Sequence, residues 1–103
     1  MAKTVAYTVG GQDVDTLFTN TGAGGSVTFT LPTPTVGMTY EFYRDANQNV
    51  IIDVDGSVVI RVGASASTAG GQVSLDAVGS RLRITAITTT LWIGDSTGTL
   101  TFS

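Results

Sequence analysis

Apolar and polar residues alternate over short stretches along most of the chain, and glycine interrupts the pattern repeatedly. The clearest case is 26–31, where Val27, Phe29 and Leu31 alternate with hydroxyl-bearing residues. A repeat of two puts the apolar side chains on one face of a β-strand and the polar ones on the other. β-Branched residues dominate these stretches, and a helical period of 3.6 residues is hard to find. The pattern predicts an all-β protein.

The same alternation predicts the other strands. We expect strands at 3–9, 26–31, 38–43, 50–54, 58–62, 72–75, 81–87, 89–93 and 99–102. Leu17 and Phe18 are expected as apolar plugs in a loop or short strand. Eight or nine short antiparallel strands, spaced about 8–12 residues apart, predict a small β-sandwich or a jelly-roll-like barrel.

Turn signals separate these strands. Asp55-Gly56 lies between two β-branched runs, which predicts a hairpin joining 50–54 to 58–62. The small polar residues of 63–71 predict a loop without an anchor, and Gly94–Gly98 predicts a turn.

The composition suits one domain that binds another protein. The chain has 103 residues, 42% of them hydrophobic and 13% charged, with a mean hydropathy of +0.27. Soluble domains average about 25% charged residues, so we expect part of the apolar surface to face a partner. We therefore treat 1–103 as a single all-β domain that forms a homo-oligomer.

Targeting and nucleic-acid signals are weak. No apolar run reaches the roughly 18 residues of a membrane helix, and the first residues do not resemble a secretory signal. We expect synthesis and folding in the cytoplasm, without membrane association. The net charge is −3 with only five basic residues, so no basic stripe is available for phosphates. We expect no nucleic-acid partner.

The chain has no histidine and no cysteine, and Lys3 is its only lysine. A serine or threonine nucleophile would therefore lack its usual activating base. Asp53 and Asp55 form a formal acid–base pair, but both flank a predicted hairpin tip, where carboxylates are solvated. The sequence predicts no catalytic residues, no cofactor and no enzyme activity.

Acidic and amide residues cluster at 45–55. Asp45, Asn47 and Asn49 resemble the opening of a calcium loop. Position six of that loop is Val50 instead of glycine, and position twelve is Gly56 instead of glutamate. We predict two turns flanking a strand and no metal site, with a calcium loop as the alternative.

Aromatic residues allow two interpretations. Tyr7, Tyr40, Tyr43 and Trp92 could form a stacking platform for a sugar. Tyr40, Phe42 and Trp92 could instead fill the core or a seam between subunits, which we favour because the chain has little else to bury.

Arg81 and Arg83 are two positions apart in a predicted strand and therefore share a face. They suit an acidic partner surface or ion pairs with a neighbouring subunit. A solvated face with no partner is the alternative.

Several motifs occur in an ordered series: NTGAGGSVTFTLP at 20–32, GMTYEF at 37–42, QNVIID at 48–53, Gly70-Gly71, Val78-Gly79-Ser80, Trp92 and Gly98-Thr99. Together they resemble small β-rich virion proteins of tailed bacteriophages. Such modules occur as capsid decoration proteins and in head spikes and tail fibres, commonly as trimers. One departure is Leu100, where the resemblance leads us to expect an aromatic residue.

The resemblance implies a trimeric capsid decoration (cement) protein on the capsid exterior, bound to the major capsid protein. The alternative is a tail-fibre or head-spike module that binds host-surface carbohydrate. Residues 1–18 precede the resembling region, and we hypothesise that they form a capsid-binding arm or a swapped strand. The predicted partner-binding residues are Val5, Tyr7, Phe18, Arg81, Arg83 and Trp92.

Overall fold

Two β-sheets packed face to face make up the computed structural model, which describes all 103 residues. The five-stranded sheet has the order β1-β3-β5-β8-β11 and contains β1 (Tyr7–Thr8), β3 (Val27–Thr30), β5 (Val50–Asp53), β8 (Gln72–Leu75) and β11 (Leu100–Phe102). The six-stranded sheet has the order β2-β4-β9-β10-β6-β7 and contains β2 (Leu17–Thr19), β4 (Thr39–Tyr43), β9 (Arg81–Ala86), β10 (Leu91–Thr97), β6 (Val59–Val62) and β7 (Ser65–Ala66). A 3-10 turn spans Gly11–Asp13. The all-β prediction is confirmed, and the two sheets form a sandwich that does not close into a barrel.

The prediction of antiparallel strands throughout is wrong. Parallel pairs join β1 to β3, β3 to β5, β2 to β4 and β6 to β10. The cause is the path of the chain, because the first six strands alternate between the two sheets. A chain that returns to the same sheet after one circuit meets its earlier strand in the same direction.

The circuits leave a weak signal in the sequence. Tyr7 pairs with Phe29, and Phe29 pairs with Ile52, so successive circuits are 22 and 23 residues long on this sheet. Val27 likewise pairs with Val50. The stretches between these strands, 9–26 and 31–49, differ in sequence. The repeat is therefore not visible as a series of identical residues.

The predicted hairpin at Asp55-Gly56 is also wrong. The turn itself forms, with the Val58 amide donating to the Asp55 carbonyl oxygen at 3.1 Å and Gly56 at φ +59°. It connects β5 in one sheet to β6 in the other, and these strands do not pair. Val54 and Val58 are both buried in the interior, so the chain crosses the end of the core at this turn.

Three further boundaries differ from the sequence prediction. The predicted strand at 3–9 is broken by a bend, and only Tyr7–Thr8 remains as β1. The stretch 63–71 contains β7, and the Ser67 hydroxyl oxygen accepts a hydrogen bond from the Ile60 amide at 3.0 Å. The predicted turn at 94–98 begins only after Thr97, because β10 pairs with β9 up to that residue.

A continuous core of 18 apolar residues lies between the sheets. Phe18 from β2, Phe29 from β3 and Phe42 from β4 form an aromatic cluster, with ring centroids 5.2 to 5.6 Å apart. Tyr40 and Trp92 form a second pair at 5.8 Å. Burial of each large side chain contributes about 1.5–3 kcal/mol. The predicted core roles of Tyr40 and Phe42 are confirmed.

Candidate interaction face

The outer surface of the six-stranded sheet carries three of the five basic residues. Arg81 and Arg83 point outward from β9, as predicted, and Arg61 is exposed on β6. The register places Glu41 of β4 and Asp95 of β10 directly opposite Arg83. We call this surface, formed by the outward side chains of β4, β9, β10 and β6, the arginine face.

Only one of these arginines has an ionic partner within the chain. Arg81 Nε lies 3.0 Å from Glu41 Oε2, and its guanidinium carbon is 5.6 Å from the centroid of the Tyr43 ring. Arg61 and Arg83 have no carboxylate within 4.0 Å and no side-chain hydrogen bond. Glu41 therefore pairs with Arg81, its diagonal neighbour on β9, and Arg83 stays without an ionic partner between Glu41 and Asp95.

Arg83 also lines three adjoining depressions of the surface. One of about 390 Å³ extends to Ser96 and Thr97, one of about 240 Å³ includes Ile93, and one of about 130 Å³ includes Asp15. Their lining is mostly polar. All three are open to solvent, so the arginine face suits a broad partner better than an enclosed small molecule.

The chemistry of this face is hydrogen-bond donation to anions. A guanidinium group offers up to two parallel N–H bonds to a carboxylate, and its charge does not titrate near neutral pH. The side chain of Ile93 is 39% exposed beside the charged rows and adds apolar area. Carboxylates, amide oxygens and small apolar side chains are the complementary groups.

Two of the predicted partner-binding residues are buried. Phe18 and Trp92 have no exposed surface because both fill the core between the sheets. Neither side chain is available to a partner in this structure. For Trp92 the core alternative holds, and the same burial removes it from any sugar-stacking platform.

Val5 and Tyr7 lie near the start of the chain and do not belong to the strands that form the arginine face. Val5 is 71% exposed. Tyr7 packs partly against the core, donates from its hydroxyl to Asp13 Oδ2 at 2.8 Å, and has Lys3 Nζ 3.9 Å from its ring centroid. Only Val5 of this pair presents a largely free side chain.

Residues 1–18, hypothesised as an arm or swapped strand, lie on the body of their own chain in this structure. The Thr19 amide donates to the Met1 carbonyl oxygen at 2.9 Å, and the Lys3 amide donates to the Thr19 carbonyl oxygen at 2.9 Å. β1 adds to the five-stranded sheet, and Val9 and Phe18 are core residues. Deleting 1–11 would therefore disturb both sheets.

Asp13 lies within residues 1–18 and is buried. Its Oδ2 accepts hydrogen bonds from the Gly10 amide at 3.0 Å and from the Tyr7 hydroxyl at 2.8 Å. These bonds, the Gly10 amide first, hold the pKa of Asp13 below its ordinary value, and Lys3 adds to the effect. The same contact raises the pKa of Tyr7.

The acidic cluster at 45–55 does not converge. Asp45 accepts a hydrogen bond from the Thr21 hydroxyl at 2.9 Å, and Asn47 Oδ1 accepts one from Arg44 at 3.2 Å. Asp53 lies on β5, opposite Gln72. No group of three or more histidine, cysteine, aspartate or glutamate side chains is arranged to hold a metal ion.

Sequence reasoning missed three members of the arginine face: Glu41, Arg61 and Asp95. The alternation places Glu41 and Arg61 outward on their strands, which is a usable signal. For Asp95 the sequence pattern predicts a turn. Bringing the three together requires the strand order β4-β9-β10-β6, which the sequence pattern does not contain.

Comparison of the sequence with models of protein families gives no match, and no curated protein is significantly similar to it. No helix in the structure has the length and apolar character needed to cross a membrane.

Proposed function

We propose that the protein is a structural component of a tailed-bacteriophage virion. It is a homotrimeric decoration protein that sits on the capsid exterior and stabilises the head by binding the major capsid protein. The motif series from 20–32 to Gly98-Thr99 supports the virion assignment by resemblance. The observation that carries the proposal is the arginine face, where Arg61 and Arg83 have no partner within the chain.

A binding role fits the available side chains better than catalysis. The chain lacks histidine and cysteine, so a serine or threonine nucleophile would lack its usual activating base. We therefore assign no enzyme activity.

The proposed action is mechanical. A sandwich with a continuous core deforms little, so contacts made by its outer surface tie neighbouring capsid subunits together. A stable interface of this kind buries about 1,200–2,000 Å² in total. An oligomer that binds several capsid subunits at once has a higher overall affinity than one copy, because every contact after the first is intramolecular.

Cosedimentation with empty capsids tests the proposal. The wild-type protein should sediment saturably with capsids of the phage that encodes it. The variant Arg61→Ala/Arg83→Ala should bind at least about tenfold more weakly, and Asp45→Ala, which removes a charge outside the arginine face, should bind normally. Absence of wild-type binding would contradict the proposal.

Carbohydrate binding is the second candidate, and Tyr43 favours it. The Tyr43 ring is half-buried on the arginine face, next to the Arg81–Glu41 ion pair. An aromatic ring beside charged donors and acceptors can stack on a sugar and bond its hydroxyl groups. On a glycan array, saturable binding that is lost in Tyr43→Ala and kept in Tyr43→Phe, without capsid association, would support this function over decoration.

A further inference from the structure

The N-terminal residues form one lateral edge of the sandwich. β1 is the outermost strand of the five-stranded sheet and β2 that of the six-stranded sheet. Tyr7 and Phe18 bring these strands together, with ring centroids 5.6 Å apart. Residues 1–3 add one further parallel segment beside β2, through the bridge between Ala2 and Thr19. We call residues 1–3 the arm and this side of the sandwich the N-terminal edge.

Main-chain hydrogen bonds hold the arm to β2. The Thr19 amide donates to the Met1 carbonyl oxygen and the Lys3 amide donates to the Thr19 carbonyl oxygen, both at 2.9 Å. The Met1 amino group donates to the Leu17 carbonyl oxygen. No side chain of residues 1–6 is buried or packs against the core. The arm of a second copy can therefore make the same bonds without any change to the core.

Residues 4–6 connect the arm to β1. Thr4 and Val5 form a bend, and all three side chains are exposed. Packed sheets lie about 10 Å apart, which is the distance that three extended residues span. A connection of this length also reaches β2 of a second copy whose N-terminal edge lies against this one.

Exposed apolar side chains are concentrated in the same part of the chain. Eight large hydrophobic residues are exposed, and half of them lie within the first 17 residues: Met1, Val5, Val14 and Leu17. The opposite lateral edge, formed by β7 and β11, has none of the eight. Removal of this apolar surface from water favours association through the N-terminal edge.

We propose that copies of this protein exchange their arms, so that residues 1–3 of one copy add to β2 of the next across the N-terminal edge. This inference rests on the proposed function, because it specifies how the homotrimer is built. Each copy gives its arm and receives another at the same lateral edge, so three copies can close around a three-fold axis with these edges at the centre. Exchange keeps the main-chain hydrogen bonds of the arm, and the covered apolar side chains supply the net stabilisation.

This arrangement leaves the arginine face uncovered. That face is the outer surface of the six-stranded sheet, and the N-terminal edge lies at the side of the same sheet. Three copies that meet at their lateral edges can direct all three arginine faces to one side of the ring. The trimer then offers three arginine faces to the capsid at once, as multivalent binding requires.

Disulfide crosslinking tests the exchange, because the chain has no cysteine of its own. In Ala2→Cys/Thr19→Cys the thiols replace directly paired neighbours, so a disulfide links whichever chains contribute the arm and β2. After oxidation, denaturing electrophoresis without reductant should show covalent trimers that return to single chains on reduction. Single chains alone would mean that each arm stays on its own β2, which overturns the inference.

Thr39→Cys/Thr85→Cys is the matched control. These residues are paired on β4 and β9, with hydroxyl oxygens 3.2 Å apart, and the exchange leaves both strands in one chain. Their disulfide should therefore form within single chains under the same conditions. Covalent trimers in both variants would assign the crosslinks to collisions between molecules and would reject the exchange.

Sedimentation velocity tests the apolar seam. Val5→Glu should weaken association at least about tenfold, because it places an unpaired charge in the seam. Val78→Glu is the matched control, since Val78 is 54% exposed in the turn between β8 and β9, and it should associate like the wild type. Circular dichroism establishes that both variants are folded. Equal association of the two variants, or a monomeric wild type, contradicts the inference.

Capsid cosedimentation separates this inference from the proposed function. If the wild type binds capsids and Ala2→Cys/Thr19→Cys gives only single chains, the decoration function is retained and the exchange is refuted. If the variant gives covalent trimers and the wild type does not bind capsids, the exchange is retained and the decoration function is refuted.

Discussion

The Arg44 side chain, which follows β4, donates a hydrogen bond from Nη1 to the carbonyl oxygen of Leu75 in β8 at 3.0 Å. The two strands belong to different sheets, so this bond ties the sheets together at one end of the sandwich. Nη2 donates to Asn47 Oδ1 at 3.2 Å, and Nε donates to the Ala46 carbonyl oxygen at 3.4 Å. Arg44 is 8% exposed and has no carboxylate within 4.0 Å, so neutral acceptors stabilise its charge.

Replacing Arg44 by methionine should lower the free energy of unfolding by about 1–3 kcal/mol, because it removes the three hydrogen bonds that the buried guanidinium group donates. Urea denaturation measures the change. Arg61→Met is the control, since Arg61 is exposed and unpaired, and it should change stability by less than about 0.5 kcal/mol. Equal stability of Arg44→Met and the wild type would show that the desolvation of the cation cancels its hydrogen bonds.

Asn20 organises the loop that follows Arg44. Its Oδ1 accepts hydrogen bonds from the Asp45 amide at 2.8 Å and the Ala46 amide at 2.9 Å, while Nδ2 donates to the Gln48 carbonyl oxygen at 3.0 Å. The side chain has no exposed surface. Because it both accepts and donates, an amide fits this position and a carboxylate does not.

The variant Asn20→Asp should therefore be destabilised by about 2 kcal/mol or more at pH 7, because the carboxylate faces the Gln48 carbonyl oxygen and cannot donate to it. Asn47→Ala, which removes an exposed amide with one long hydrogen bond, should cost less. Thermal and urea unfolding give both values. An Asn20→Asp variant as stable as the wild type would mean that the loop does not depend on the Nδ2 donor.

Local alternation explains which parts of the fold were predictable. Four predicted core residues face the core as expected: Val27, Phe29, Tyr40 and Phe42. The two-residue repeat of a β-strand is the same whichever strand it pairs with, so the pattern alone identifies its buried face. The turn at Asp55-Gly56 forms as predicted, but its residues do not encode whether the chain stays in one sheet or crosses to the other. That choice depends on the strands with which β6 pairs, which are β10 and β7.

The candidate site was predictable only in part for the same reason. The shared outward face of Arg81 and Arg83 follows from their spacing, and the structure bears it out. Their neighbours Glu41 and Asp95 come from strands more than ten residues away, and strand order is a property of the whole packed core. Leu17 and Phe18 are adjacent in a less regular segment, and the pattern there does not determine which of the two faces the core; the structure buries Phe18 and leaves Leu17 38% exposed.

Gly94 lies within β10, and a side chain there should be costly. A Cβ at this position would lie 2.7 Å from the Arg83 carbonyl oxygen and 3.1 Å from Ile84 Cγ2. Gly94→Ala should therefore lose about 1–3 kcal/mol of stability through overpacking against β9.

Gly24→Ala is the control for Gly94→Ala. A Cβ at Gly24 meets nothing within 4 Å, so this variant should be neutral or more stable by up to about 1 kcal/mol. Both are compared by urea denaturation. Similar values for the two variants would mean that β9 and β10 can move apart without cost.

Acid should destabilise the protein through Asp13. The folded pKa of Asp13 lies below its unfolded value of about 3.9, because the Gly10 amide and the Tyr7 hydroxyl bond the charged form. The stabilisation is therefore complete above that value and is lost as the pH falls from about 4 through the folded pKa. The wild-type Tm should fall more steeply between pH 5 and pH 2 than the Tm of Asp13→Asn, which should already be lower at pH 7.

Asp15→Asn is the control, because asparagine also tolerates the φ of +63° at that position, and its profile should keep the wild-type slope. Parallel profiles for Asp13→Asn and the wild type would assign the acid sensitivity to other carboxylates.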